Sequence, residues 1–92
     1  MAKFLVELEH EASKEACQLA VETILTSGSH FLTHAEWGCE DNVHCCWIMV
    51  ELETKDQVRS ILPPIYRSEA KITQITRYSV EDINKGIKAQ HY

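Results

Sequence analysis

Between Val43 and Glu53 the side chains alternate so regularly that an extended strand is the conformation best able to use them. Cys46, Ile48, Val50 and Leu52 fall on one side, and Cys45, Trp47, Met49 and Glu51 fall on the other. The first side is wholly apolar and has to pack on the helices. A second alternating stretch lies near the start, where Phe4, Val6 and Leu8 interleave with Lys3, Leu5, Glu7 and Glu9. After it the period changes. Ser13 offers an N-cap, and Ala16, Cys17, Ala20, Val21, Ile24 and Leu25 recur at helical spacing. Gly28 stands where a left-handed stop belongs, so the spacing predicts a helix from about Lys14 to about Ser27.

Phe31, Thr33, Ala35 and Trp37 alternate with His30, Leu32, His34 and Glu36, and the turn formers from Gly38 to Asn42 follow. With the strand after Val43, this reads as a hairpin. Thr54 and Gln57 form a capping box ahead of Val58, Ile61 and Leu62, and Pro63-Pro64 ends that helix. Ala70 to Tyr78 reads as a last strand, with Ile72 and Ile75 out of phase and its facing therefore open. Ser79 with Asp82 opens a short final helix carrying Val80, Ile83 and Ile87, weakened at its end by Gly86. The expected fold is α+β: a single ferredoxin-like βαββαβ domain over residues 1–92, with an antiparallel sheet, helices on one face and a short C-terminal helix.

Charge narrows the partners. The net charge is −5 and the nine Lys and Arg are scattered, so no basic stripe offers itself to nucleic acid or to an anionic membrane. The longest apolar stretch, Cys45 to Val50, is far shorter than the ~20 residues a spanning helix needs. Met-Ala-Lys leads straight into the first strand pattern, and the expected location is the cytoplasm. Cys17, Cys39, Cys45 and Cys46 are then expected as free thiols or metal ligands rather than disulfides.

The face away from the helices carries the functional expectation. It collects Leu5, Glu7 and Glu9, then His30, Leu32, His34 and Glu36, then Cys45, Trp47, Met49 and Glu51. Trp47, Met49, Leu32 and Leu5 are too apolar for a purely solvated surface, while the His and Glu are too polar for a plain core. Such a face suits a sheet packed on a second copy around a partly polar cavity. The expected protein is thus a homodimer that binds a small molecule through Leu5, Leu32, Trp47, Met49 and Cys45.

The strand order, the length, and the run from Pro63-Pro64-Ile65-Tyr66-Arg67 to Tyr78-Ser79-Val80-Glu81-Asp82-Ile83 resemble the dimeric α/β-barrel superfamily. Within it the chain is similar to muconolactone-isomerase-like small proteins of unknown function. The resemblance implies sheets paired face to face, often with a ligand between sheet and helices. It also implies activities among isomerases, cyclases, monooxygenases and haem-degrading enzymes. Haem-degrading members use an Asn on strand one, a Trp on strand three and a His on the second helix. Trp47 is comparable, but Glu7 stands on strand one and the second helix has no His, which argues against haem degradation.

Three sets of residues carry candidate chemistry. His34, Glu7 and Glu51 share the mixed face with Trp47, and a carboxylate beside an imidazole can handle protons; ordinary ion pairs are the alternative. This set underlies a cofactor-free isomerase or monooxygenase of a small hydrophobic or aromatic acid. Cys39, His44, Cys45 and Cys46 cluster around the hairpin, near His34 and Glu36, and offer thiolate and imidazole to zinc or copper. Their spacing, C-x4-H-C-C, matches no zinc signature, and alternation sends Cys45 away from His44 and Cys46. A metal-binding or thiol-redox protein remains a third reading, against small buried thiols and a surface His. Arg67, with Tyr66 and Tyr78, is a candidate carboxylate clamp or a surface arginine. No cofactor is implied.

Overall fold

The computed structural model describes residues 1–86. Its order is β1 (Ala2–Glu9), α1 (Lys14–Leu25), β2 (Glu36–Trp37), β3 (Cys45–Leu52), α2 (Lys55–Ser60), α3 (Pro64–Arg67), β4 (Lys71–Ile75) and α4 (Val80–Asn84). The fold is α+β, with a four-stranded antiparallel sheet in the order β2-β3-β1-β4. Among the described residues no helix is long and apolar enough to cross a membrane.

The register explains the core. Phe4, Val6 and Leu8 stand opposite Val50, Ile48 and Cys46, so the apolar sides of the two central strands coincide. Ile72 stands opposite Val6 and joins that side, while Ile75 pairs with Lys3 and faces the other way. The ambiguous facing of the last strand is thereby resolved. Ile24 from α1, with Val58 and Leu62 from the α2 region, closes over this side. Non-directional burial of these side chains holds the layers together.

Local signals account for the boundaries. Ser13 accepts from the Ala16 N–H at 3.0 Å, and Thr26 caps the other end of α1, two residues before Gly28 at φ 90°. The capping box at α2 is complete: Gln57 N–H donates to Thr54 Oγ1, and Gln57 Oε1 accepts from the Thr54 N–H. Pro63 follows the end of that helix, but Pro64 also starts α3 from its first position, where a missing N–H costs nothing. Ser79 and Asp82 form the second capping box.

Two expectations need correction. The stretch His30–His34 is a 3-10 turn, not a strand, and β2 keeps just Glu36 and Trp37. Thr33 Oγ1 donates to the His30 carbonyl, and the Leu32 and Ala35 N–H groups fold back on Ser29 and Leu32. Leu32 therefore points inward and is fully buried instead of lying on the open face. The last strand is shorter than expected, ending at Ile75. The expected final helix forms at Val80–Asn84 with Val80 and Ile83 exposed, and Ile87 lies outside the described residues.

Candidate metal centre

The open face is smaller than the sequence suggested. Leu5, Glu7, Glu9, Cys45, Trp47, Met49 and Glu51 do share it, since each pairs across β1 and β3 with another of the set or with Lys3. His34 does not. It sits exposed in the 3-10 turn, and Glu36 occupies the position opposite Trp47. Glu7 finds a cation rather than an imidazole, with Lys71 Nζ 3.8 Å from its carboxylate. Glu51 is exposed opposite Lys3. The proton-handling set His34, Glu7 and Glu51 is thus not assembled within one chain.

Trp47 is half-buried for a structural reason. Its ring lies against Gly38, where an added Cβ would come within 2.9 Å of the ring and 2.8 Å of the Val43 carbonyl. Glycine lets the hairpin close under the indole. Arg67 is also occupied: its guanidinium donates to the carbonyls of Leu62 and Ser60 at the end of α2, where a cation meets unpaired carbonyls. It is no free carboxylate clamp. Between sheet and helices, the cavity bordered by Leu8, His10, Trp37 and Tyr66 holds about 10 Å³, room for roughly one water.

The side chains that do converge lie at one end of the sheet. Beyond Glu9, paired with Cys45, the ladder runs one rung further: the His10 N–H donates to the His44 carbonyl at 3.0 Å. This rung sets the two imidazoles edge to face, with ring centres 5.7 Å apart. Trp37 lies edge-on to His10 from the inner side, at 6.2 Å. Gly38 then turns the chain into the short 3-10 turn Cys39–Asp41, closed by Asn42 at φ 60°. That turn carries Cys39 back over the rung, 3.2 Å from His10 Nε2. From the first turns of α1, Cys17 donates its thiol proton to Cys39 Sγ at 2.8 Å.

His10, Cys39 and His44 each present a ligand atom within 4.8 Å of the others. Two observations prepare them for a cation. His44 Nε2 is 3.2 Å from the Asn42 amide oxygen, which can only accept, so Nε2 carries the proton and Nδ1 is left with a bare lone pair. That Nδ1, like His10 Nδ1, is buried without a hydrogen-bond partner. An unsatisfied buried polar atom costs about 1–3 kcal/mol, so one on each of two neighbouring rings marks a place where a binding partner would be favoured. Burial, helped by the neighbouring His44, holds His10 below the usual imidazole range and keeps it neutral. Sharing of the thiol proton between the Cys39 and Cys17 sulfurs, with burial, pushes the Cys39 thiol up to about 11. Binding a cation would have to displace that proton.

The site is reachable. An open hollow of about 370 Å³, lined by Ser13, Cys17, Cys39, Asn42 and His44, leads to it from solvent. Cys45 and Cys46, predicted as part of the cluster, are elsewhere. Cys46 points into the core, where burial pushes its thiol up to about 12, and Cys45 is buried on the opposite side of the sheet. His10 and Cys17 take their places.

Neither a family model, nor a curated protein, nor a solved structure matches this chain. The site has to be read from its own chemistry.

Proposed function

We propose that this protein binds a borderline-soft divalent cation, zinc foremost, through His10, Cys39 and His44. The carrying observation is that His10, Cys39 and His44 bring one ligand atom each within 4.8 Å of the others, with a buried, unpartnered Nδ1 on both imidazoles. Imidazole and thiolate donors suit zinc, and three protein ligands leave a fourth position open toward the hollow. Tetrahedral zinc holds such donors about 3.5 Å apart, so the set must close by about 1 Å from its widest separation. The Asn42 amide acts behind the site, fixing the His44 tautomer as second partners of ligating histidines do.

Zinc titration of the reduced protein is expected to saturate at one equivalent. Binding should release a proton, because Cys39 begins protonated, and affinity should fall in acid, since only deprotonated ligands hold the metal. Calorimetry in buffers of different ionisation heat measures both. Absence of saturable uptake at pH 7.5 would reject the reading.

A second reading concerns the open face, where Met49 is 56% exposed beside Leu5 and half-buried Trp47. Read from the β4 edge, the strand order β4-β1-β3-β2 supports a ferredoxin-like arrangement. The resemblance to dimeric α/β barrels then implies a second copy on this face, with a small molecule as a further occupant. Sedimentation at micromolar concentration is expected to show a dimer, shifted toward monomer by Trp47→Glu. A monomeric wild type would remove this second reading and leave the metal site untouched.

A further inference from the structure

We infer that Cys17 is the redox partner of the metal ligand Cys39, and that closing a Cys17–Cys39 disulfide releases the cation. The inference rests on the metal reading above and adds its regulation. The two sulfurs are 2.8 Å apart, between the roughly 2.05 Å of a disulfide and the ~3.8 Å that two sulfurs on one tetrahedral zinc would adopt. Cys17 is thus near enough to Cys39 to react with it. Both residues are half-buried and line the hollow, so a small oxidant reaches them. Cys45 and Cys46 are buried in the sheet and lie outside its reach.

The oxidant class is a hydroperoxide. The Cys39 sulfur attacks one peroxide oxygen, the O–O bond breaks, and Cys39 becomes a sulfenic acid while hydroxide leaves and takes a proton. The Cys17 sulfur then attacks the Cys39 sulfur, the S–O bond breaks and the S–S bond forms. A second water leaves with the Cys17 proton. Two electrons pass from the sulfurs to the peroxide. A disulfide sulfur is a poor zinc ligand, because the thiolate is what binds metal. Two histidines alone then face the cation, and it departs. A dithiol reductant restores both thiols and the site.

The test treats zinc-loaded protein with hydrogen peroxide and follows zinc by a colorimetric chelator. Thiols counted after denaturation should fall from four to two, with peptide mapping placing the bond between Cys17 and Cys39. One equivalent of zinc should be released and be taken up again after dithiothreitol. Cys17→Ser and Cys17→Ala, which leave all three proposed ligands in place, should still bind zinc, should form no disulfide with peroxide, and should recover less than about half of their zinc uptake after dithiothreitol, because an unresolved sulfenic acid goes on to sulfinic acid. Full recovery of zinc uptake after dithiothreitol in either variant, or a bond between other cysteines, would overturn this inference while the metal reading stands. A wild type that takes up no zinc would overturn both.

Discussion

Cys39→Ser is expected to weaken zinc binding by about 100-fold or more while leaving the metal-free protein folded. The substitution keeps the shape of the side chain and replaces a thiolate by a hydroxyl, which does not ionise near neutral pH and binds zinc poorly. Loss even of a residue that merely orients a ligand costs 10–100-fold, so loss of a ligand itself should cost at least the upper end. The variant is half-buried at a turn, and Cys39 belongs to no apolar cluster, so its melting temperature should stay close to that of wild type. Competition against a chelator of known affinity reads the first quantity and thermal unfolding the second. Undiminished zinc affinity would place the metal elsewhere.

Leu32→Ala is expected to destabilise the protein by about 2–5 kcal/mol, the range for truncating a fully buried leucine. The size of the effect discriminates between two placements of the residue. On an open sheet face, as strand alternation from Phe31 to Trp37 would have it, the same change would cost a few tenths. At 0% exposure in the 3-10 turn it leaves a cavity under the sheet. Urea unfolding gives the difference, and a loss below about 1 kcal/mol would mean that Leu32 is not where the structure has it.

The elements with a long, regular period were legible in the chain. Phe4, Val6 and Leu8 against Cys46, Ile48 and Val50 declared the two central strands and their buried side, and Ser13, Thr54 and Ser79 declared three helix starts. The stretch His30 to Trp37 misled because it alternates weakly. Leu32 and Ala35, three apart, describe a one-sided turn as well as they break an alternation, and local hydrogen bonds from Thr33 favour the turn. That single change removed His34 and Leu32 from the expected site.

The proposed ligand cluster was half legible. Cys39 and His44 stood out by their nearness in sequence, whereas His10 and Cys17 come from elements far along the chain. A signal for His10 was nonetheless present. Setting Leu8 against Cys46, as burial of both apolar sides requires, puts Glu9 against Cys45 and His10 against His44. Register, more than spacing, was the informative quantity. Nothing comparable marks Cys17, because the packing of α1 over the hairpin turn has no counterpart in either periodicity.

The shared rung of His10 and His44 also bears on the order in which such a protein would be made. In small zinc modules the ligands arrive in close pairs, so the metal can gather a short piece of chain before anything else has folded. Here the two histidines meet through the pairing of β1 with β3, a contact between distant parts of the chain that is slow to form because loop closure precedes its reward. An incoming cation would therefore find its ligands as the last product of sheet assembly. It would act as a guest of the finished fold, not as its template.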